Sequence, residues 1–147
     1  MTMTMGTMAA RSQYNRDAIL SATPVRLLTM LYDRLLLDLN RAEAAQVGGD
    51  WSTASTNLVH AQAIISELMS SLKVDAWEGG EGLFGLYTYV SNTLISANVH
   101  RDVERTREGI ALLEPLRQAW HEAAGALPAQ STLIDTVAYT GGNLGVA

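Results

Sequence analysis

Three histidines, His60, His100 and His121, are the side chains of this sequence with the widest chemical range near neutral pH. A di-iron helical bundle needs Glu-x-x-His pairs, and no glutamate here has a histidine three residues on. His-Glu-x-x-His fails too, because Gly125 stands where the second histidine belongs. A phosphotransfer bundle would expose one histidine with cationic support for the phosphoryl group. His60 is the one plausible case, yet Val59, Ala61, Gln62 and Ala63 beside it bring no lysine or arginine. The plainer reading of His60 is a polar residue on a helix flank.

Gly80-Glu81-Gly82-Leu83-Phe84-Gly85 satisfies G-x-G-x-x-G, with Asp102 about 20 residues on, where a ribose-binding acid is expected. That chemistry needs a preceding strand, whereas a helical pattern precedes these glycines, and Glu78 and Glu81 would repel a pyrophosphate. The glycines are therefore expected in a loop between helices. No serine sits in Gly-x-Ser-x-Gly, and the absence of cysteine excludes disulfides, thiolate metal sites and a thiol nucleophile. The sequence thus predicts no catalytic residues, no metal and no cofactor.

The elements that would position any site are helices. From Trp51, the residues Ala54, Leu58, Ala61, Ile65, Leu68 and Leu72 recur at steps of three and four, the seam of a packed helix. Gly48-Gly49 ends the helix before it, and Asp50 is placed to accept hydrogen bonds from the free amides of the next. The earlier helix starts at Thr23-Pro24 and runs through Leu28, Leu31, Leu35, Leu39 and Ala42. A third seam is Leu83, Tyr87, Val90, Leu94 and Ala97, and a fourth is Val103, Ile110, Leu113 and Trp120, with Leu112 and Leu116 beside it. Pro115 predicts a kink or a split near Leu113.

Links of a few residues force neighbouring helices antiparallel, so the expected fold is all-α, an antiparallel up-down four-helix bundle with a short N-terminal helix or strap. The expected layout is an arm over residues 1–13, the bundle over 14–124, and a flexible tail over 125–147 that opens at Gly125 and Pro128. A chain of 147 residues with net charge -5 is poorly suited to nucleic acid, and 48% hydrophobic residues suit a folded domain. Residues Met1 to Met8 have neither a basic start nor an apolar run, and no apolar stretch is long enough to cross a membrane, which predicts a cytoplasmic protein without membrane insertion.

Some apolar residues are left over once the seams are assigned. Met30, Leu37 and Ala44 fall nearly opposite the seam of their helix, and Tyr87 and Tyr89 point about 200° apart, so both cannot face one core. With Ile64 and Leu86, such residues would form grooves for a partner's helix.

Several segments together resemble the FliS family of flagellin-specific export chaperones. Tyr14-Asn-Arg-Asp-Ala-Ile19, Ala22-Thr23-Pro24 and Leu27-Leu28-Thr-Met30-Leu31-Tyr32-Asp33 are similar to its N-terminal tyrosine, Thr-Ala-Ser-Pro-like turn and Leu-x-x-Met-Leu-Tyr-Asp. Ala61 to Leu72 resembles its second helix, Leu83, Leu86-Tyr87-Thr88-Tyr89 and Ala97-Asn98 its third, and Leu113, Leu116-Arg117 and Ala119-Trp120 its fourth. Thr88 stands where the family usually has an acid.

The resemblance implies a non-enzymatic chaperone. It would bind the disordered C-terminal segment of flagellin one to one, let it fold into helices, prevent polymerisation in the cytoplasm and deliver it to a membrane protein of the export gate. No small-molecule substrate is implied. Groove positions would be Leu27, Met30, Leu31, Ile64, Leu68, Leu86, Tyr89 and Val90, with Tyr14 and Ile19 on a strap that covers the groove when no client is bound. Apart from the resemblance, Leu133, Ile134 and Val137 have the spacing of a short helix that would lie there in a client's place, the alternative to a disordered tail. The alternatives are a phosphotransfer bundle centred on His60 and a self-associating structural bundle.

Overall fold

The computed structural model describes Ala10, Gln13 and residues 24–76 and 78–140, with side chains to Ala126 except that of Ala76. Tyr14, Ile19, most of the 1–13 arm, residues 141–147 and the side chains of Leu133, Ile134 and Val137 lie outside this description. The described chain forms helices α1 (Pro24–Val47), α2 (Trp51–Ser71), α3 (Gly80–Val99) and α4 (Val103–Thr140), and a 3₁₀ turn at Val74–Ala76. No strand occurs among the described residues.

Residues Met30–His121 make one compact unit, narrower than the 14–124 expected from sequence, and Met1–Thr29 with Glu122–Ala147 make another. In the latter, Thr29 turns its hydroxyl back on the carbonyl of Arg26 at 2.8 Å, and Leu27 is half-buried.

In the unit Met30–His121, the helix ends follow their local chemistry. At the end of α1 the Asp50 amide donates to the Ala45 carbonyl at 2.8 Å and the Gly49 amide to Gln46 at 3.1 Å. This six-residue closure requires a left-handed residue, and Gly49 supplies it with φ 76°. The Asp50 carboxylate then accepts the Thr53 amide at 3.1 Å, the cap the sequence predicts. Thr53, through its hydroxyl first and then through this amide, holds the Asp50 carboxyl below its ordinary range.

Helix α3 ends the same way, with the Asp102 amide on the Ala97 carbonyl at 3.0 Å, but Arg101 occupies the left-handed position with φ 52°. The carboxylate of Asp102 accepts the Glu104 amide at 3.0 Å and opens α4.

Cross-helix pairs fix the topology. Asp33 meets Arg117 and His121, Glu43 meets Arg107 and Gln46 meets Thr106, so rising numbers on α1 match falling numbers on α4 and the two run antiparallel. Tyr32 meets Tyr87 and Gln46 meets Ala97, so α1 and α3 run parallel, as an up-down bundle demands. The four predicted seams close the core. Leu35, Leu39, Leu58, Ala61, Ile65, Val90, Leu94, Ala97 and Leu113 are fully buried. Thr106 and Gly109 also belong to the α4 seam, and a Cβ at Gly109 would lie 3.0 Å from Leu94, so glycine lets α4 approach α3 closely.

Three expectations are corrected. The G-x-G-x-x-G residues are not an interhelical loop. They begin α3, and at Gly80 a Cβ would stand 2.2 Å from the Val74 carbonyl oxygen, so only glycine fits against the 3₁₀ turn. The helix is not split at Pro115, whose ring is exposed; burial of Leu113 and partial burial of Leu116 outweigh the one lost backbone bond. Nor does the helix stop at Gly125 and Pro128, for its backbone continues to Thr140 in the part of the predicted tail that is described.

Candidate partner-binding surface

With the core filled, apolar side chains remain outside it. On α1, Met30 and Leu37 are 36% and 41% exposed, and with Arg34, Arg41 and Ala44 they occupy an arc of about 80°. This strip is apolar with two arginines and no acid. On α3, Phe84, Thr88, Ile95 and Val99 fall within about 60° of one another, and Ile95 and Val99 are 44% and 68% exposed. From Gly82 to Val99 the helix has no charged residue on any face. Such a helix belongs in an interior or under a partner.

Tyr89 lies at the α3–α4 boundary, exposed, with its hydroxyl donating to the Glu108 carboxylate. That bond, followed by the charge of Glu108, raises the hydroxyl above its ordinary range. Tyr87, two residues earlier, is buried, so the two tyrosines divide between core and surface as their angular separation requires.

The predicted groove residues separate by depth. Met30 and Tyr89 are exposed, and Leu31 and Leu86 are half-buried. Ile64, Leu68 and Val90 are buried in this structure. Exposed Leu37 and Phe84, Ile95 and Val99 extend the surface. The last three are absent from the sequence-derived set, although the uncharged run from Gly82 to Val99 is the signal that marks them.

The polar clusters fasten helices together. Asp38 is fully buried, and its carboxylate takes Arg34 Nε at 3.0 Å on one oxygen and His60 Nδ1 on the other. His60 thus ties α2 to α1. A phosphoryl group there would meet a carboxylate whose only cation is already engaged, which gives phosphotransfer no support. On the opposite pairing, Arg117 bridges Glu114 at 2.9 Å and Asp33 at 3.2 Å, and His121 Nε2 lies 2.6 Å from the same Asp33 oxygen. Arg117 depresses the Glu114 carboxyl, and Glu114 in turn raises the guanidinium. Among the described residues with side chains, no cluster of three metal-ligating groups occurs.

The described residues thus form a helical bundle with a closed core and apolar strips left on its outer faces. The sequence profile described as "Flagellar protein FliS" matches residues 7–127. The chain belongs to the FliS family, whose members are chaperones and not enzymes.

The flagellar secretion chaperone FliS of Bacillus subtilis is 30% identical over 110 residues, which cover 75% of this chain and 82% of the relative. That of Escherichia coli is 32% identical over 120 residues, 80% of this chain and 88% of the relative. A solved structure titled "Crystal structure of flagellar chaperone from bacteria" superposes with TM-score 0.65 over 82% of this chain and 98% of its own, at 21% identity, and so shares the fold. No helix among the described residues is long and apolar enough to cross a membrane.

Proposed function

We propose that this chain is a cytoplasmic escort for flagellin that binds the disordered C-terminal segment of its client one to one. The segment coils into helices on the outer faces of the bundle, cannot polymerise while it is held there, and is passed to a membrane protein of the export gate. The observation that carries this reading is the apolar surface left on α1 and α3 after the core is filled. A disordered segment loses conformational freedom on folding, and burial of its apolar face against such strips offsets that loss.

Leu27, Met30, Leu31, Leu86 and Tyr89 are the contact positions open to the client, joined by Leu37, Phe84, Ile95 and Val99. Ile64, Leu68 and Val90 act from beneath, by shaping the faces the client meets. Membership of the FliS family supports the flagellar role.

Calorimetry and circular dichroism with the C-terminal segment of the cognate flagellin test the proposal. Binding near one to one with a gain in helicity beyond the sum of the separate spectra is expected. Absence of both heat and added helicity overturns it.

A further inference from the structure

At the end of the bundle where α1 turns into α2 and α3 into α4, a cavity of ≈ 520 Å³ opens between Gln46, Trp51, Ser55, Ala97, Asn98 and Arg101. Its volume lies in the range of ligand-binding clefts. Small residues, Ala54 and Ala97, form the depression, and Gln46 is fixed in it by a bond to the Ala97 carbonyl at 3.3 Å and one from Thr106 at 2.7 Å.

Arg101 is the one charged side chain in the lining. Its guanidinium stands over the Trp51 ring at 5.3 Å from the centroid. A guanidinium held against an aromatic ring can still offer its outer N–H groups to a carboxylate through two parallel bonds. The acids nearest in sequence are occupied elsewhere, Asp50 on the Thr53 amide and Asp102 on the Glu104 amide.

Arg101 is also the one non-glycine residue with positive φ among the described residues, at a turn position that α1 fills with Gly49. The turn that ends α3 requires this conformation and so fixes where the Arg101 side chain leaves the backbone. Ser52, Ser55 and Asn98 add hydroxyl and amide donors at the rim, while Val99 and the Trp51 ring offer apolar contact.

We infer that this cavity receives the terminal α-carboxylate of the client's C-terminal segment, with Arg101 as its charged anchor. The inference rests on the function proposed above. A cavity floored by Gln46, Ala54 and Ala97 and carrying a lone positive charge suits a chain end, which enters without having to leave again and brings a negative charge to every sequence.

The test compares the cognate flagellin C-terminal peptide with its C-terminally amidated form by calorimetry, on the wild-type chain and on Arg101→Gly and Arg101→Lys. Glycine is at home in the left-handed position, so Arg101→Gly keeps the fold, which circular dichroism verifies. The wild type is expected to prefer the free acid about tenfold, the scale of a charge-assisted bidentate contact at a partly exposed site. Arg101→Gly is expected to bind both peptides alike, and Arg101→Lys to retain a smaller preference because it keeps the charge and loses the fork. Equal affinity of the wild type for both peptides overturns the inference and leaves the escort function standing, as does a preference that persists in Arg101→Gly. Failure of both peptides to bind removes the two together.

Discussion

The hydroxyl of Tyr32 on α1 lies 2.5 Å from that of Tyr87 on α3, with both side chains buried in the bundle. The bond joins diagonal helices and satisfies two hydroxyls that have lost water, and the Tyr32 ring also lies 6.5 Å from that of Trp120 on α4. Replacing either tyrosine by phenylalanine strands the other hydroxyl in the core. We expect each single variant to lose about 1–2 kcal/mol in urea unfolding. The double variant should lose less than the sum, since no hydroxyl is then left without a partner. Additive losses would show that the two groups do not depend on one another.

The same pair makes stability fall in alkali. Burial raises both hydroxyls above the ordinary tyrosine range, and for Tyr87 the bond to Tyr32 adds to the effect. In the unfolded chain they ionise near pH ~10. Above that pH the unfolded state gives up protons the folded state keeps, so the contribution is complete below about pH 10 and declines as pH rises. Melting curves from pH 8 to 11.5 should show this decline, and it should be shallower in Tyr87→Phe.

Gly80→Ala places a methyl carbon 2.2 Å from the Val74 carbonyl oxygen, a backbone atom that moves only if the 3₁₀ turn moves. Helix propensity alone would favour alanine by about 1 kcal/mol. We expect instead a loss of about 1–3 kcal/mol. Gly85→Ala is the control, since its added carbon meets nothing within 4 Å, and it should stabilise.

Pro115→Ala restores the amide that α4 lacks at this position and removes no buried contact, the ring being exposed. An increase of about 1 kcal/mol or more in unfolding free energy is expected. A fall in melting temperature would mean that the ring supports the helix around it.

Aspartate separates contact from core. Met30→Asp should reduce affinity for the flagellin segment about tenfold or more with little change in melting temperature, because its side chain is on the surface. Val90→Asp buries a charge with no partner and should unfold the bundle or cost several kcal/mol. Equal loss of folding in both would remove Met30 from the contact surface.

The helices were legible because each carries a regular seam. Asp50 as a cap follows from local chemistry alone. Tyr87 and Tyr89 show how far the reasoning reaches: their spacing dictates that one is inside and one outside, and the structure decides which. Gly109 was invisible because a glycine in a seam does not register as apolar.

Phe84, Ile95 and Val99 were missed because α3 has apolar residues all round, and periodicity cannot say which face of such a helix is inside. The tie between Asp38 and His60 joins residues 22 apart on different helices, and no local pattern encodes it.

On the escort function proposed above, the long neutral stretch of α3 bears on how the guest finds its alignment. A helix lying along it could shift by a whole turn without bringing like charges together or pulling opposite ones apart, so ionic attraction offers no ruler there. Registration must come from bulk, from where the ring of Phe84 and the branched carbons of Ile95 and Val99 leave room. A surface of that kind tolerates drift in a guest's charges while remaining strict about the size and spacing of its large side chains.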